Sequence, residues 1–245
     1  GVMLPSGADA VNGIVLNLGT KDDFIEKMNN KAKELGMNNT HFDNAIGMDS
    51  DNNYSTANDL SILLEYALKN KTFYEIFTTK EYKIDRLNLN LESTLLKYSK
   101  STTLDTSKIV GAKSGFTDNA GLCLASISNI NDVDYLLINL NANYLTNKSN
   151  AIKDAIKIYT YFGEHYSYKE ILKKGQNLHT IKNKLGYEKE YIITSTNEIT
   201  KYLPNDIDIK DIIYKYDGIE EINYKYKSGD KLGTIYITLD DKELD

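Results

Sequence analysis

Three short runs of strand-forming residues in the middle of the chain most constrain its fold. They occupy residues 109–114, 122–128 and 135–140 and are separated by turn-forming segments such as the polar residues 129–132. Their simplest arrangement is an antiparallel meander. Any fold predicted for this chain must therefore place helices around a central antiparallel sheet.

Helical patterns flank these runs on both sides. Residues 8–18 carry apolar side chains at helical spacing and predict a short buried helix. Thr20 and Thr56 are typical N-cap residues, and Gly36 is a typical helix end. Residues 73–77 predict a shorter helix and residues 147–163 a closing one, whereas residues 81–84 and 87–91 fit either short strands or extended loop. Together these patterns predict an α+β fold.

The pattern changes again after residue 163. From about residue 168 onward, polar residues alternate with Ile, Leu and Tyr, and turns such as Lys173-Lys174-Gly175 interrupt them at short intervals. This alternating pattern with frequent turns predicts a small all-β domain. We therefore expect two domains, residues 1–166 and residues 167–245.

Composition excludes several classes of function. The chain has 29 Lys and Arg against 35 Asp and Glu, and its net charge of -6 argues against a general nucleic-acid binder. No apolar stretch approaches the roughly 20 residues of a membrane-spanning helix. No spacing of Cys, His and acidic residues suggests a metal site, and no cofactor is expected. The single cysteine, Cys123, is expected to be a small buried hydrophobe.

The triplet Lys113-Ser114-Gly115 ends the first predicted strand and carries the chemistry. A strand edge can pair with a short acyl substrate as an additional strand. Lys113 supplies a positive charge and Ser114 a hydroxyl for a carboxylate, while Gly115 leaves room for close approach. On local grounds alone, the triplet also fits an ordinary polar strand end.

Several other sequence segments occur in a characteristic order with this triplet. Leu4-Pro5-Ser6-Gly7 places a hydroxyl before a helix, and residues 33–42 and 54–60 add longer strings in the same order. Together with residues 111–124 they resemble the low-molecular-weight penicillin-binding proteins, the serine D-alanyl-D-alanine carboxypeptidases. The resemblance covers nearly the whole chain. It implies a β-lactamase/transpeptidase-like domain followed by a β-rich C-terminal domain.

The resemblance also implies roles for individual residues. The family uses the motifs S-x-x-K, S-x-N and K-T/S-G, in which the first serine is the nucleophile. Ser6 would be the second-motif serine, a catalytic residue that assists proton transfer. Lys113 and Ser114 would hold the substrate carboxylate, with clearance from Gly115, and the backbone N–H of Phe116 would form half of an oxyanion hole. Lys148 and Lys153 lie where the family often keeps a basic residue, but we expect both to be solvated surface lysines.

Two departures from the family pattern affect the expected activity. Ala8 stands where the second motif has Asn, with Asn12 as the other candidate for that amide. The first motif has no counterpart before Ser6, and the one S-x-x-K string, residues 228–231, falls in a predicted hairpin turn. The literal S-D-N string at residues 50–52 falls in a loop, out of register with the family. We therefore expect this chain to lack the nucleophile segment and to be inactive by itself.

The leading hypothesis is a serine-type D-Ala-D-Ala carboxypeptidase that trims peptidoglycan stem peptides through an acyl-enzyme. Its expected ligands are stem peptides and β-lactam antibiotics, and no nucleic acid. The alternative is a non-catalytic cell-wall binding or scaffolding protein derived from the same fold; a class A β-lactamase is disfavoured by the extra β domain. The resemblance implies a location in the cell envelope, outside the cytoplasmic membrane, with a membrane anchor beyond this chain.

Overall fold

The protein is described by a computed structural model that covers residues 1–145, 147–240 and 242–244. The chain divides into two compact units, Gly1–Tyr161 and Phe162–Asp245. The boundary between predicted domains, after residue 166, stays a prediction. The first unit contains the helices and the predicted meander, and the second contains short strands.

The described residues form six α-helices, and most of them begin at a side-chain cap. Thr20 accepts a hydrogen bond from the Asp23 backbone N–H while the Asp23 carboxylate accepts one from Thr20, which completes a capping box. Thr56 caps the next helix in the same way, by accepting from the Asp59 N–H. The bounds of the helices are α1 Ala8–Leu18, α2 Lys21–Glu34, α3 Ala57–Leu68, α4 Lys71–Thr78, α5 Thr94–Thr102 and α6 Asn150–His165.

Helix α1 is less buried than its pattern predicted. Only Val15 is buried, whereas Ile14, Leu16 and Leu18 are 49%, 65% and 60% exposed. Ile14 and Leu18 lie on the same stripe as Val15, but within the described part of the chain only Val15 of these three is covered; Leu16 lies off that stripe. The expectation of a buried helix was therefore wrong for most of its side chains.

The three strand runs form the predicted antiparallel meander. Strands β3 Gly111–Thr117, β4 Gly121–Ile130 and β5 Val133–Ala142 lie in the order β3-β4-β5, with Ser114 opposite Leu124. Successive side chains of a strand point to opposite faces, and β4 uses both. Leu122 and Leu124 join the core formed with α6 on one face, while Ile127 packs with Leu64 and Phe77 of α3 and α4 on the other. Strand β3 lies at an edge of this sheet.

A hairpin and helix α5 lie between α4 and this sheet. Strands β1 Glu81–Ile84 and β2 Leu89–Glu92 pair antiparallel, which resolves the choice between short strands and loop for this segment. Helix α5 follows at once. Helices around an antiparallel sheet confirm the predicted α+β class for the first unit.

The second unit is built from short strands around its own core. Its main core cluster contains the buried residues Ile171, Leu172, Ile212 and Ile237, and Ile181 is buried as well. Its three small sheets are β6-β9, β11-β7-β8 and β10-β12-β13. The strand bounds are β6 Tyr166–Leu172, β7 Asn177–Asn183, β8 Glu190–Thr194, β9 Ile199–Pro204, β10 Ile213–Gly218, β11 Glu221–Ile222, β12 Gly233–Leu239 and β13 Lys242–Glu243.

Within the described part of the chain, no helix combines the length and the apolar content that crossing a membrane requires.

Candidate active site

The fold brings Ser6 and Lys113 into direct contact, although they lie 107 positions apart in the chain. The Lys113 Nζ donates to the Ser6 Oγ at 2.6 Å. Ser6 precedes α1 and has a φ of 59°, a left-handed conformation that costs a non-glycine residue about 1 kcal/mol. The hydrogen bond to Lys113 is one interaction that holds this loop in place.

Lys113 carries a charge that no neighbouring carboxylate neutralises. It lies half-buried on β3, and its Nζ also donates to the backbone carbonyl of Ser114. Burial lowers the pKa of Lys113 because a charged ammonium loses hydration inside the protein. Among the residues that the structure describes, no acidic group forms an ion pair with it. A negatively charged ligand would supply the partner that the protein does not.

The hydroxyl of Ser114 lies beside the first turn of α5. Its Oγ is 2.6 Å from the Oγ1 of Thr94, the first residue of that helix. Ser93 caps the helix by accepting from the Leu96 N–H at 3.2 Å, and its side chain is buried. The end of β3 and the start of α5 therefore present their hydroxyls at the same place.

Gly115 and Phe116 continue β3 past the lysine. A Cβ on Gly115 would meet only the Cβ of Cys123, at an ordinary contact distance of 3.8 Å. The protein itself therefore does not require glycine here, and the space is available to a ligand. Phe116 is 49% exposed and packs edge to face on Tyr144, with ring centroids 5.1 Å apart. The roles predicted for Gly115 and for the Phe116 N–H stay predictions.

The end of β3 and the start of α5 line a cavity of about 170 Å³. Its polar wall consists of Ser6, Thr94, Ser114 and Lys148, and Tyr98 and the apolar residues of β4 and α6 complete it. Hydroxyl donors and Lys148 beside an apolar wall suit a small ligand with a carboxylate and short aliphatic groups. A more apolar cavity of about 370 Å³ lies nearby and shares Gly115, Phe116 and Cys123.

Cys123 is only partly buried and lines both cavities, so the expectation of a buried hydrophobe was too simple. A separate cavity of about 290 Å³ lies against β4 and β5 and includes neither Ser6 nor Lys113. Of the residues predicted from motifs, Ser6 and Ser114 thus bring hydroxyls to the first cavity, and Lys113 is connected to it through its hydrogen bond to Ser6.

Sequence reasoning missed two residues of this site and misjudged a third. Thr94 and Tyr98 belong to α5, a helix that the sequence patterns did not predict, although Ser93 followed by Leu95 and Leu96 is an N-cap signal. Lys148 is exposed as expected, yet it also lines the cavity. Nothing near Lys148 in the sequence distinguishes it from other surface lysines.

The two serine strings that were set aside lie in loops, as expected. The Ser50 hydroxyl donates to the Asp43 carboxylate in the segment between α2 and α3. Ser228 lies in a turn of the second unit, where the Asp230 N–H donates to the Lys227 carbonyl. Ala8, which stands in place of the motif Asn, is the exposed first residue of α1.

Among residues 1–145, 147–240 and 242–244, no three His, Cys, Asp or Glu side chains lie close enough to hold a metal ion.

Comparison with known proteins identifies the family of the chain. Residues 1–144 match the protein family described as D-alanyl-D-alanine carboxypeptidase. D-alanyl-D-alanine carboxypeptidase DacF of Bacillus subtilis is 25% identical over 252 residues, which cover 100% of this chain and 62% of DacF. A D-alanyl-D-alanine carboxypeptidase of Streptomyces sp. strain K15 is 34% identical over 142 residues, covering 51% of this chain and 46% of that protein. The chain thus spans less than two thirds of each of these relatives.

A solved structure shares the fold. The crystal structure of the D-alanyl-D-alanine carboxypeptidase DacD from Francisella tularensis superposes with a TM-score of 0.75 at 21% identity. The match covers 100% of this chain and 71% of that one. At this identity the likeness establishes the fold, and the residue roles rest on the contacts described above.

Proposed function

This chain belongs to the D-alanyl-D-alanine carboxypeptidase family, and from that premise we propose that it serves the removal of the terminal D-alanine from peptidoglycan stem peptides. In this reaction a serine hydroxyl attacks the D-Ala-D-Ala carbonyl, D-alanine leaves as the free amine, and water hydrolyses the acyl-enzyme. The one S-x-x-K string of the chain lies in a turn of the second unit. We therefore assign the residues described here to substrate binding and proton transfer, and none of them to the attack.

The observation that carries the proposal is the hydrogen bond from Lys113 to Ser6, which lines a cavity of about 170 Å³. The substrate would lie along the open edge of β3 as an additional strand. Its terminal carboxylate would receive the charge of Lys113 and the hydroxyl of Ser114, with Lys148 as a second cation at the rim. A carboxylate bound by a lysine and a hydroxyl makes charge-assisted hydrogen bonds, which are stronger than neutral ones.

Ser6 is placed to assist proton transfer. Its hydroxyl can accept a proton on one side and already accepts a hydrogen bond from Lys113 on the other. Because burial lowers the pKa of Lys113, that lysine gives up a proton more readily than an ordinary surface lysine. The pair can therefore deliver a proton to the departing amine. The backbone N–H of Phe116 would stabilise the oxyanion.

Ligands and location follow from this reaction. A β-lactam carries an acyl bond and a carboxylate like those of D-Ala-D-Ala, so we propose that the same cavity takes β-lactams. Stem peptides are part of the cell wall, and the protein would act in the envelope, outside the cytoplasmic membrane. The net charge of -6 fits a small peptide ligand better than a nucleic acid.

Binding by the chain itself tests the proposal. We expect diacetyl-Lys-D-Ala-D-Ala to bind at least about tenfold more tightly than its L-Ala-L-Ala isomer, because a carboxylate fixed at two points makes the methyl positions matter. The change Lys113→Ala should weaken D,D-peptide binding roughly tenfold or more. Dissociation constants from NMR titration of the Gly115 and Phe116 amide signals give both results.

The matched control is Lys97→Ala, which removes the same charge from an exposed position on α5 and should leave binding unchanged. Equal affinity for the two isomers, or full affinity in Lys113→Ala, would contradict the proposal. A fluorescent penicillin separates binding from attack: we expect reversible competition with the D,D-peptide and no covalent label on residues 1–245. A label on any residue would show that this chain carries its own nucleophile.

A further inference from the structure

Thr94 is bonded to both halves of the site. Its backbone N–H donates to the carbonyl of Leu4 at 3.1 Å, two residues before Ser6. Its Oγ1 lies 2.6 Å from the Oγ of Ser114 on β3. One residue therefore connects the loop that carries the Ser6 hydroxyl to the strand that carries Lys113.

Thr94 is itself held firmly. The preceding Ser93 is 6% exposed, and its N–H donates to the Lys80 carbonyl at 2.8 Å. The Ser93 Oγ accepts from the Leu96 N–H, which fixes the first turn of α5. Because its backbone is fixed on both sides, the Thr94 hydroxyl offers Ser114 a partner at a defined position.

We propose that Thr94 is a positioning residue that orients the Ser114 hydroxyl toward the terminal carboxylate of the ligand; this rests on the function proposed above. A carboxylate only accepts hydrogen bonds, so Ser114 must donate its one hydroxyl hydrogen to it. Thr94 then donates to the Ser114 oxygen. The chain of donors from Thr94 through Ser114 to the carboxylate strengthens each bond in it.

This arrangement makes Thr94 a determinant of ligand specificity. A C-terminal amide is uncharged and gains less from a donating Ser114 than a carboxylate does. Loss of the Thr94 hydroxyl leaves Ser114 free to rotate into other orientations. Thr94 should therefore matter for the free acid and much less for the amide of the same peptide.

The test compares N-acetyl-D-Ala-D-Ala with its C-terminal amide, using the full chain and NMR titration of the Gly115 and Phe116 signals. For Thr94→Val we expect a loss of roughly tenfold in affinity for the acid and about twofold or less for the amide. Thr94→Ser keeps the hydroxyl and should restore the affinity for the acid. Thr102→Val is the matched control, because that hydroxyl bonds only within α5, to the Tyr98 carbonyl at 2.7 Å.

Equal losses for acid and amide in Thr94→Val would overturn the inference, since they would indicate a merely structural role. Unchanged affinity for the acid would overturn it as well. If the unmodified chain does not prefer the acid over the amide, the result contradicts the carboxylate site of the proposed function rather than the role of Thr94. Retained amide binding by Thr94→Val shows that the variant is folded.

Discussion

Lys113 carries a positive charge in a partly buried environment that disfavours the charged form of lysine. It lies half-buried on β3, receives no ion pair from the described residues, and donates to the neutral oxygens of Ser6 and Ser114. Hydrogen bonds from neutral oxygens replace only part of the hydration that an ammonium loses. An anionic ligand offsets the free energy that the buried charge costs. The environment of Lys113 therefore favours the binding of carboxylates.

The lowered pKa of Lys113 predicts how binding depends on pH. Lysine is charged below its pKa, so the affinity for a free-acid peptide should be full at neutral pH and fall as the pH rises. Because burial moves the pKa of Lys113 below 10.5, the fall should begin at a lower pH than for an exposed lysine. The dissociation constant of N-acetyl-D-Ala-D-Ala, measured across the alkaline range, checks this.

Two variants identify the group responsible for that fall. Lys113→Arg keeps its charge at any pH that the protein survives and should move the fall to higher pH. Tyr98→Phe removes the ionisable phenol that lines the cavity and should leave the fall in place. A profile that is identical in Lys113→Arg would mean that another group controls binding.

Motif order identified Ser6, Lys113 and Ser114 because their hydroxyls and amine must occur at fixed places in the chain. Thr94, Tyr98 and Lys148 reach the cavity for a different reason: the fold carries α5 and the start of α6 to the edge of β3. Their residue types are common on protein surfaces. No local pattern reports such a long-range approach, and only the three-dimensional structure reveals it.

At the scale of elements, one buried hydrogen bond joins the sheet to its covering helix. The Tyr159 hydroxyl of α6 lies 2.8 Å from the Ser126 Oγ of β4, and the two residues are 1% and 0% exposed. Burial raises the pKa of Tyr159 to about 12, against a partial lowering by the bond to Ser126. The phenol must therefore stay protonated for α6 to pack on the sheet.

This coupling predicts a loss of stability at alkaline pH. The folded state holds the Tyr159 proton more tightly than the unfolded state, whose pKa is 10.0, so the contribution is complete below that pH. It should be lost between about pH 10 and pH 12, by roughly 2–3 kcal/mol. Urea unfolding of the wild type and of Tyr159→Phe at several pH values measures the difference between them.

At neutral pH, Tyr159→Phe should lower the free energy of unfolding by about 1 kcal/mol, because Ser126 loses its partner. In the alkaline range the variant should lose less stability than the wild type, so the two curves should cross and the variant should become the more stable protein near pH 12. Tyr82→Phe, at a position that is 61% exposed on β1, controls for tyrosine titration in general. Parallel pH dependences for Tyr159→Phe and the wild type would contradict the prediction.

The elements that the sequence predicted best have strong local signals. Thr20 and Thr56 both cap helices, and the three strand runs pair in chain order. Helix α5 was missed because Ser, Thr and Lys dominate its sequence and hide its short apolar face. For α1, apolar spacing predicted the helix correctly, but spacing alone cannot determine whether another element covers that face.

At the scale of the whole molecule, the two units have separate cores. Tyr159 and its neighbours in α6 belong to the first, while Ile171 and Ile237 belong to the second. The change from helical spacing to alternating polar and apolar residues predicts a boundary after residue 166. The structure divides the chain slightly earlier, before Phe162, because several contacts of the second unit involve residues 162–166.

Those contacts predict that the end of α6 contributes to the stability of the second unit. The Asn205 N–H donates to the His165 carbonyl at 2.7 Å, and the Asn205 Nδ2 donates to the Glu164 carbonyl at 2.9 Å. The Phe162 ring packs on Tyr166, with centroids 4.9 Å apart. A fragment of residues 162–245 keeps all of these contacts, whereas a fragment of residues 167–245 loses them.

We therefore expect both fragments to fold around the core of Ile171 and Ile237, with residues 162–245 more stable by about 1–3 kcal/mol. Urea unfolding followed by tyrosine fluorescence gives the two free energies. In the longer fragment, Asn205→Ala removes the side-chain bonds to the Glu164 carbonyl and the Ser167 hydroxyl and should lower its stability toward that of the shorter one. Equal stabilities of the two fragments would contradict this prediction. They would mean that the end of α6 does not stabilise the β-strands, and they would support the domain boundary after residue 166 that the sequence pattern predicts.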